Sequence, residues 1–178
     1  MKILILSTSL NARSKSHTLG LRIEEHLEAE GAETVVVELG GVGLPLCGMP
    51  GSFDDAQAMQ LTERIREADG IIIASPVYNY DVNAACKNAV ELTGVGWENK
   101  VVGFILVAGG QASYMSGLGL ANSLMLDFRC VIVPRFVYAT GEAFRDGALV
   151  DVKIDERLGR LARDVIRLAG AWSTAAEA

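Results

Sequence analysis

Three short stretches of this sequence concentrate the residue types that could do chemistry. The first is Ser7-Thr8-Ser9-Leu10-Asn11-Ala12-Arg13-Ser14-Lys15-Ser16-His17-Thr18, which sets hydroxyl side chains and an arginine ahead of an amphipathic run. Backbone N–H groups at a helix start carry partial positive charge, and neighbouring hydroxyls add donors for phosphate oxygens. Arg13 can add a charge-assisted, bidentate contact. The same residues also fit an ordinary strand-to-helix connection in which Ser16 or Thr18 only caps the helix. Neither GxxxxGK[ST] nor GxGxxG follows the first apolar run, which argues against a nucleotide triphosphatase and against a dinucleotide-binding Rossmann site. Gly117-Leu118-Gly119 falls inside helical spacing further on. A phosphomonoester suits the first loop better.

The second stretch is Ser75-Pro76-Val77-Tyr78-Asn79-Tyr80-Asp81, directly after an apolar run. Its two aromatic faces could stack on a ligand while backbone amides meet a polar heterocycle edge. Equally, both rings could cover the core edge or a subunit contact. The third stretch is Ala108-Gly109-Gly110-Gln111-Ala112-Ser113-Tyr114. Paired glycines let a backbone approach a flat ligand closely, or simply turn the chain into a helix.

The elements that must position these loops follow a regular rhythm. Strand-like runs occur at Lys2–Thr8, Thr34–Leu39, Gly70–Ala74, Val101–Ala108 and Cys130–Val133, the last closed by Pro134. Helical stripes run between them: Leu19, Ile23 and Leu27; Met59, Leu61 and Ile65; Val82, Ala85, Ala89 and Leu92; Leu118, Ala121, Leu124 and Phe128. A final helix carries Ile154, Leu158, Leu161, Val165, Leu168 and Trp172 on one face. Apolar strands alternating with helices predict an α/β fold whose parallel sheet is covered on both faces, a three-layer sandwich with right-handed crossovers. Ligands of such sheets bind outside the carboxyl ends of the strands, where the three loops fall. The expected organisation is one domain over residues 1–172, with a frayed tail over 173–178.

Composition narrows the function. Half of the 178 residues are hydrophobic, enough for a full core, so intrinsic disorder is excluded. The formal net charge of −6 opposes a phosphate backbone, which argues against general nucleic-acid binding. No apolar run reaches the roughly 18–20 residues needed to span a bilayer, and Ile3–Leu6 is too short for a signal-peptide core. A soluble, cytoplasmic protein is expected. Cys47, Cys86 and Cys130 are odd in number and far apart, which fits reduced thiols rather than disulfides or a zinc site.

Four of these segments, taken in register, resemble the NADPH-dependent FMN reductase family, which has a flavodoxin-like fold. Ser9, Arg13, Ser14 and Ser16 look like its phosphate signature Ser-x-x-x-Arg-Ser-x-Ser. Pro76, Tyr78, Asn79 and Tyr80, followed by Lys87 and Asn88, are similar to its Pro-x-Tyr-Asn-Tyr and Lys-Asn segments. Gly109 and Gly110 match its glycine pair, and Phe144–Asp151 its Phe-x-Asp-Gly-x-Leu-x-Asp run. The resemblance implies a five-stranded parallel sheet of order 2-1-3-4-5 and an FMN cofactor. Ser9, Arg13, Ser14, Ser16, His17 and Thr18 would hold the FMN phosphate. Pro76, Val77, Tyr78, Asn79 and Tyr80 would line the isoalloxazine, with Gly109, Gly110 and Gln111 on its other edge. It further implies NADPH or NADH as co-substrate, a small-molecule electron acceptor (a flavin, quinone, azo compound or metal oxyanion), and a homodimer or homotetramer. No side chain is assigned a catalytic role, since the flavin carries hydride chemistry. The competing reading is a non-enzymatic flavodoxin-like electron carrier or flavin-binding module, without its own NAD(P)H oxidation. The chain departs from the family at Asp81-Val82-Asn83-Ala84-Ala85, where a small residue and Pro-Gly are usual. It also has Cys86 for a usual leucine and His17 for a common asparagine.

Overall fold

Alternation within apolar strands decides which layer each side chain joins. In β1 (Lys2–Ser7), Ile3 and Ile5 enter one core while Leu4 and Leu6 enter the other, all four essentially inaccessible to solvent. The computed structural model describes residues 1–176, with side chains through residue 172. β1 leads to α1 (Lys15–Ala29), β2 (Glu33–Glu38), α2 (Ala56–Glu67) and β3 (Gly70–Tyr78). A short β4 (Asp81–Val82), α3 (Ala84–Leu92), β5 (Val101–Ala108) and α4 (Leu118–Phe128) follow. The chain then forms β6 (Val131–Ile132), β7 (Val137–Thr140), a small hairpin of β8 (Phe144–Arg145) and β9 (Ala148–Leu149), and α5 (Val152–Ala176).

The main sheet has the order β2-β1-β3-β5, with β6 and β7 both pairing along the far side of β5, and these pairings are parallel. Five strand positions thus follow the expected 2-1-3-4-5 arrangement. The difference lies in the fifth position, which holds two segments rather than the single run ending at Val133. Pro134 offers no N–H to the ladder and Arg135 adopts a left-handed backbone (φ 64°). β6 therefore pairs with Val101 and Val102, and β7 resumes beside Ile105–Ala108. Other boundaries shift locally. β3 extends four residues beyond Ala74, and α1 begins at Lys15 because Ser14 Oγ accepts from the Ser16 N–H as its cap. The final helix is continuous to Ala176; of the residues expected to fray, 177 and 178 lie outside the described residues.

α1 and α5 cover one face, through Leu19, Ile23, Leu27, Leu158, Leu161 and Val165. α2, α3 and α4 cover the other, through Leu61, Ile65, Ala89, Val90, Leu120 and Leu124. α5 lies unusually close to the sheet. A Cβ on Gly103 would sit 2.9 Å from Leu161 Cδ1, and one on Gly70 would sit 2.9 Å from Val165 Cγ1. The two helices of this layer are also clamped by charge. Arg22 on α1 donates Nε and Nη2 to the two carboxylate oxygens of Asp155 on α5 at 2.7 and 2.8 Å, and His26 Nε2 lies 2.9 Å from Oδ1. Arg22, aided by His26, holds the Asp155 carboxyl well below the usual carboxylate range. Among the described residues, no helix is long and apolar enough to cross a membrane.

Two outcomes follow from this packing. Gly103→Val forces side-chain volume against Leu161 and should destabilise the fold by about 1–3 kcal/mol in chemical denaturation, without loss of secondary structure. Asp155→Asn should cost about 0.5–1 kcal/mol at neutral pH, the partial exposure of the pair limiting the effect. The wild-type advantage is complete above the ordinary carboxyl value of about 3.9 and is lost as pH falls through the depressed native value, so the two melting curves should converge in acid.

Candidate functional site

Parallel pairing brings the carboxyl ends of β1, β3 and β5 to one edge of the sheet, and a buried polar knot fixes their mutual placement. Asn83, at the entrance to α3, donates Nδ2–H to the Thr8 carbonyl at 2.7 Å. Its Oδ1 accepts from Thr8 Oγ1 at 2.7 Å and from Ser75 Oγ at 3.1 Å. All three residues are buried, so each of these hydrogen bonds satisfies a group that would otherwise be stranded away from water. The knot leaves no local trace in the sequence. An asparagine before an apolar helical run reads as a cap, yet Asn83 makes no side-chain capping bond to α3. Its partners lie 8 and 75 residues away.

Around the knot, the first loop closes onto α1. Ser9 and Ser16 are turned inward, Ser14 caps the helix and shares a 2.8 Å hydroxyl contact with Ser16, and Thr18 lies in the first turns of the helix. The sequence alternatives of Ser16 or Thr18 as cap are thus replaced by Ser14. Arg13 is exposed, its backbone N–H bound to Asn11 Oδ1 at 3.0 Å. No acidic residue occupies the first turn of α1, which leaves the positive end of its dipole uncompensated. His17 Nε2 lies 3.5 Å from Glu38 Oε1, and Nδ1 is buried with no hydrogen-bond partner among the described residues.

The second loop is a hairpin. β3 continues through Pro76 and Val77, both buried, and β4 folds back antiparallel so that Tyr78 pairs with Asp81. Asn79 (φ 51°) and Tyr80 (φ 63°) form the two-residue turn, both left-handed, as primed hairpin turns require. A tyrosine in that region is costly, which marks the tip as a constrained feature. Tyr78 and Tyr80 are 59% and 69% exposed, so neither covers the core edge. The third loop is held by Tyr138, whose hydroxyl meets the Gly110 carbonyl and lies 2.9 Å from Ser113 Oγ. Added Cβ atoms on Gly109 or Gly110 would meet nothing within 4 Å, which leaves open space above this backbone beside an exposed Gln111.

Next to the first loop, the 40–52 segment is tied down by Asn88, which donates to the Pro45 carbonyl and accepts from the Cys47 N–H, both at 2.8 Å. Cys86, by contrast, packs in the core, and burial pushes its thiol up to about 12, so it is a packing residue and not a nucleophile. Among the described residues, no group of three or more His, Cys, Asp or Glu side chains could hold a metal.

The edge therefore combines an uncompensated helix N-terminus rich in hydroxyls, an orphaned buried imidazole nitrogen, an open glycine backbone and exposed aromatic rings. That donor set fits a phosphate joined to a flat heterocycle. Asn83→Ala should remove the knot at its centre and leave Thr8 and Ser75 unpaired, costing about 2–4 kcal/mol in thermal or chemical denaturation. A loss below 0.5 kcal/mol would show that the loops are held by other contacts.

Comparisons with known proteins point the same way. The model of the NADPH-dependent FMN reductase family matches residues 1–145, so the match ends just inside the β8–β9 hairpin. A NAD(P)H-dependent FAD/FMN reductase of Geobacillus thermodenitrificans (strain NG80-2) is 27% identical over 128 residues, which cover 71% of this chain and 68% of that protein. An NADPH azoreductase of Bacillus sp. (strain OY1-2) is 23% identical over 151 residues, 84% of this chain and 82% of the other. The fold superposes on the flavoenzyme NAD(P)H:(acceptor) oxidoreductase FerB of Paracoccus denitrificans with a TM-score of 0.77 at 22% identity, covering 96% and 97% of the two chains. With four-fifths of its length matched by one family model, this chain belongs to the NADPH-dependent FMN reductase family.

Proposed function

We propose that the sheet edge described above binds FMN and that the protein is an FMN-dependent NAD(P)H oxidoreductase serving a small-molecule acceptor. The observation that carries this reading is the uncompensated N-terminus of α1, facing the same sheet edge as the open Gly109-Gly110 backbone. Arg13 and the α1 backbone N–H groups would hold the phosphate, with hydroxyls of Ser9, Ser14, Ser16 and Thr18 completing the cradle. His17 Nδ1, buried and unpartnered among the described residues, supplies one further polar atom there. Pro76 and Val77 contribute backbone, because their side chains are turned into β3, while Tyr78, Asn79 and Tyr80 present an exposed tip to the ring system. Gly109, Gly110 and Gln111 would flank its other edge.

FMN held there would supply the hydride and electron chemistry between NADPH or NADH and the acceptor. The chain's own part is to orient and to supply dipoles. The hairpin's fixed left-handed turn keeps its backbone amides preorganised for charge on a polar ring edge. The knot at Asn83 keeps that hairpin from drifting away from the phosphate loop. We further read the chain as a homodimer or homotetramer, with exposed Tyr78 and Tyr80 available to a subunit contact, and as cytoplasmic, in keeping with its free cysteines.

Titration of flavin-free protein with FMN tests the site. Arg13→Ala should weaken binding by about 1.5–3 kcal/mol, more than tenfold in affinity, and unchanged affinity would place the phosphate elsewhere. Tyr78→Ala should perturb the bound flavin's absorbance while leaving the melting temperature nearly unchanged. Anaerobic mixing with NADPH and NADH separates an oxidoreductase from an electron carrier, since a carrier alone would not bleach the flavin. Light scattering at the mass of one 19.0 kDa chain would rule out the oligomer.

A further inference from the structure

A second concentration of donors lies away from the α1 loop, at the edge where the fifth strand position breaks. The connection between β6 and β7 and one face of α5 enclose a cavity of about 300 Å³, into which Arg135, Arg157 and Arg160 contribute, with Tyr114 and Phe136 as aromatic walls. None of the three arginines has an ion pair or side-chain hydrogen bond among the described residues, whereas Arg163 and Arg167 on the same helix are each paired with an acid. The Tyr114 hydroxyl also lacks a hydrogen-bond partner there, while its ring packs edge-on against Tyr138 at 5.4 Å. The single acid in the cavity, Asp164, already accepts from Arg167 Nη2 at 2.9 Å.

Two features of this arrangement carry a cost with no return in the folded chain alone. Arg157 and Arg160 are three residues apart on α5, so like charges share one helix face, which is unfavourable. Arg135 occupies the left-handed region (φ 64°), sparsely populated for a residue with a long side chain, at the point where the strand breaks. In a protein of net charge −6, three unpaired guanidinium groups from two separate elements converge on one cavity.

We propose that Arg135, Arg157 and Arg160 form a binding site for the phosphate monoester of a nucleoside. Guanidinium groups match a phosphate dianion in bidentate geometry, and the Tyr114 hydroxyl adds a neutral donor. Tyr114 and Phe136 supply flat apolar surface for the attached nucleoside. The cavity is at the small end of ligand-sized pockets, enough for a phosphate and part of its ester. The site uses no residue of the α1 loop and does not rest on the flavin reading. Two sources offer the same chemistry: the 2′-phosphate end of NADPH, and a free mononucleotide.

Calorimetric titration of the purified protein, without and with added FMN, with 2′-AMP and with adenosine as the uncharged control tests the proposal. Wild type should bind 2′-AMP and not adenosine, with affinity falling as salt rises. Arg157→Gln/Arg160→Gln should weaken 2′-AMP by about tenfold or more, with an unchanged melting temperature because both side chains are exposed. Arg13→Ala should leave 2′-AMP affinity at the wild-type value. Equal 2′-AMP affinity in wild type and the double variant, or loss of binding only in Arg13→Ala, would overturn the proposal. Steady-state kinetics then separate the sources. A raised KM for NADPH with an unchanged KM for NADH assigns the cavity to the dinucleotide's 2′-phosphate. Unchanged KM for both, with 2′-AMP binding still lost, assigns it to a free mononucleotide. Failure of the chain to bind FMN would count against the proposed function and leave the 2′-AMP titration readable on its own.

Discussion

One buried amide ties the first loop to the hairpin at the sheet edge. Asn83 joins the end of β1, the first residue of the β3 extension and the start of α3 through hydrogen bonds to Thr8 and Ser75. Parallel strands align their carboxyl ends but do not by themselves fix the loops that leave them. Loops carry few buried contacts and open locally at low cost. A satisfied polar cluster in low dielectric changes that balance, because each member is expensive to strand. The hairpin and the first loop are thus held relative to each other by geometry rather than by packing of large side chains. The site can remain open to solvent and still be preorganised.

The sheet beneath is fixed by a different physics. Its central strands are buried on both faces, and the alternation in β1 distributes isoleucines to one core and leucines to the other. Gly70 and Gly103 let α5 settle close against β3 and β5, while Arg22, His26 and Asp155 hold α1 beside it. One face is thus locked by close approach and by charge, and the other by the larger aromatic and aliphatic side chains around Trp97 and Phe104.

How much was legible in the sequence follows from the range of each interaction. Val101–Ala108 could be bounded to the residue because an unbroken apolar run states its own ends. The β8–β9 turn carries Asp146-Gly147, the local signature of a primed hairpin, yet its two-residue strands are too short to show as runs, so only the family motif stands out there. Asn79-Tyr80 makes the same kind of turn without a glycine, so the segment read as a loop and β3 as too short. Pro134 read as a terminator because proline ends ladders locally, whereas resumption of pairing at Val137 depends on β5 lying alongside. The partners of Asn83 and the convergence of Arg135 with Arg157 and Arg160 are tertiary facts with no local trace. Arg13 and the glycine pair were recognisable by type. Their common edge became visible only with the strand order.

The break in the fifth strand position also bears on how copies of this protein can meet. An unbroken edge strand offers a row of free N–H and C=O groups to any other chain that can extend the sheet. Here that row is interrupted between Ile132 and Val137 by a residue with no N–H and a left-handed neighbour, and the two remaining segments span two and four residues. The opposite edge, β2, begins and ends in glutamate, so two copies laid edge to edge would bring like charges together. Backbone-templated growth is thereby discouraged at both borders, and contacts between copies are left to side chains, which can be specific.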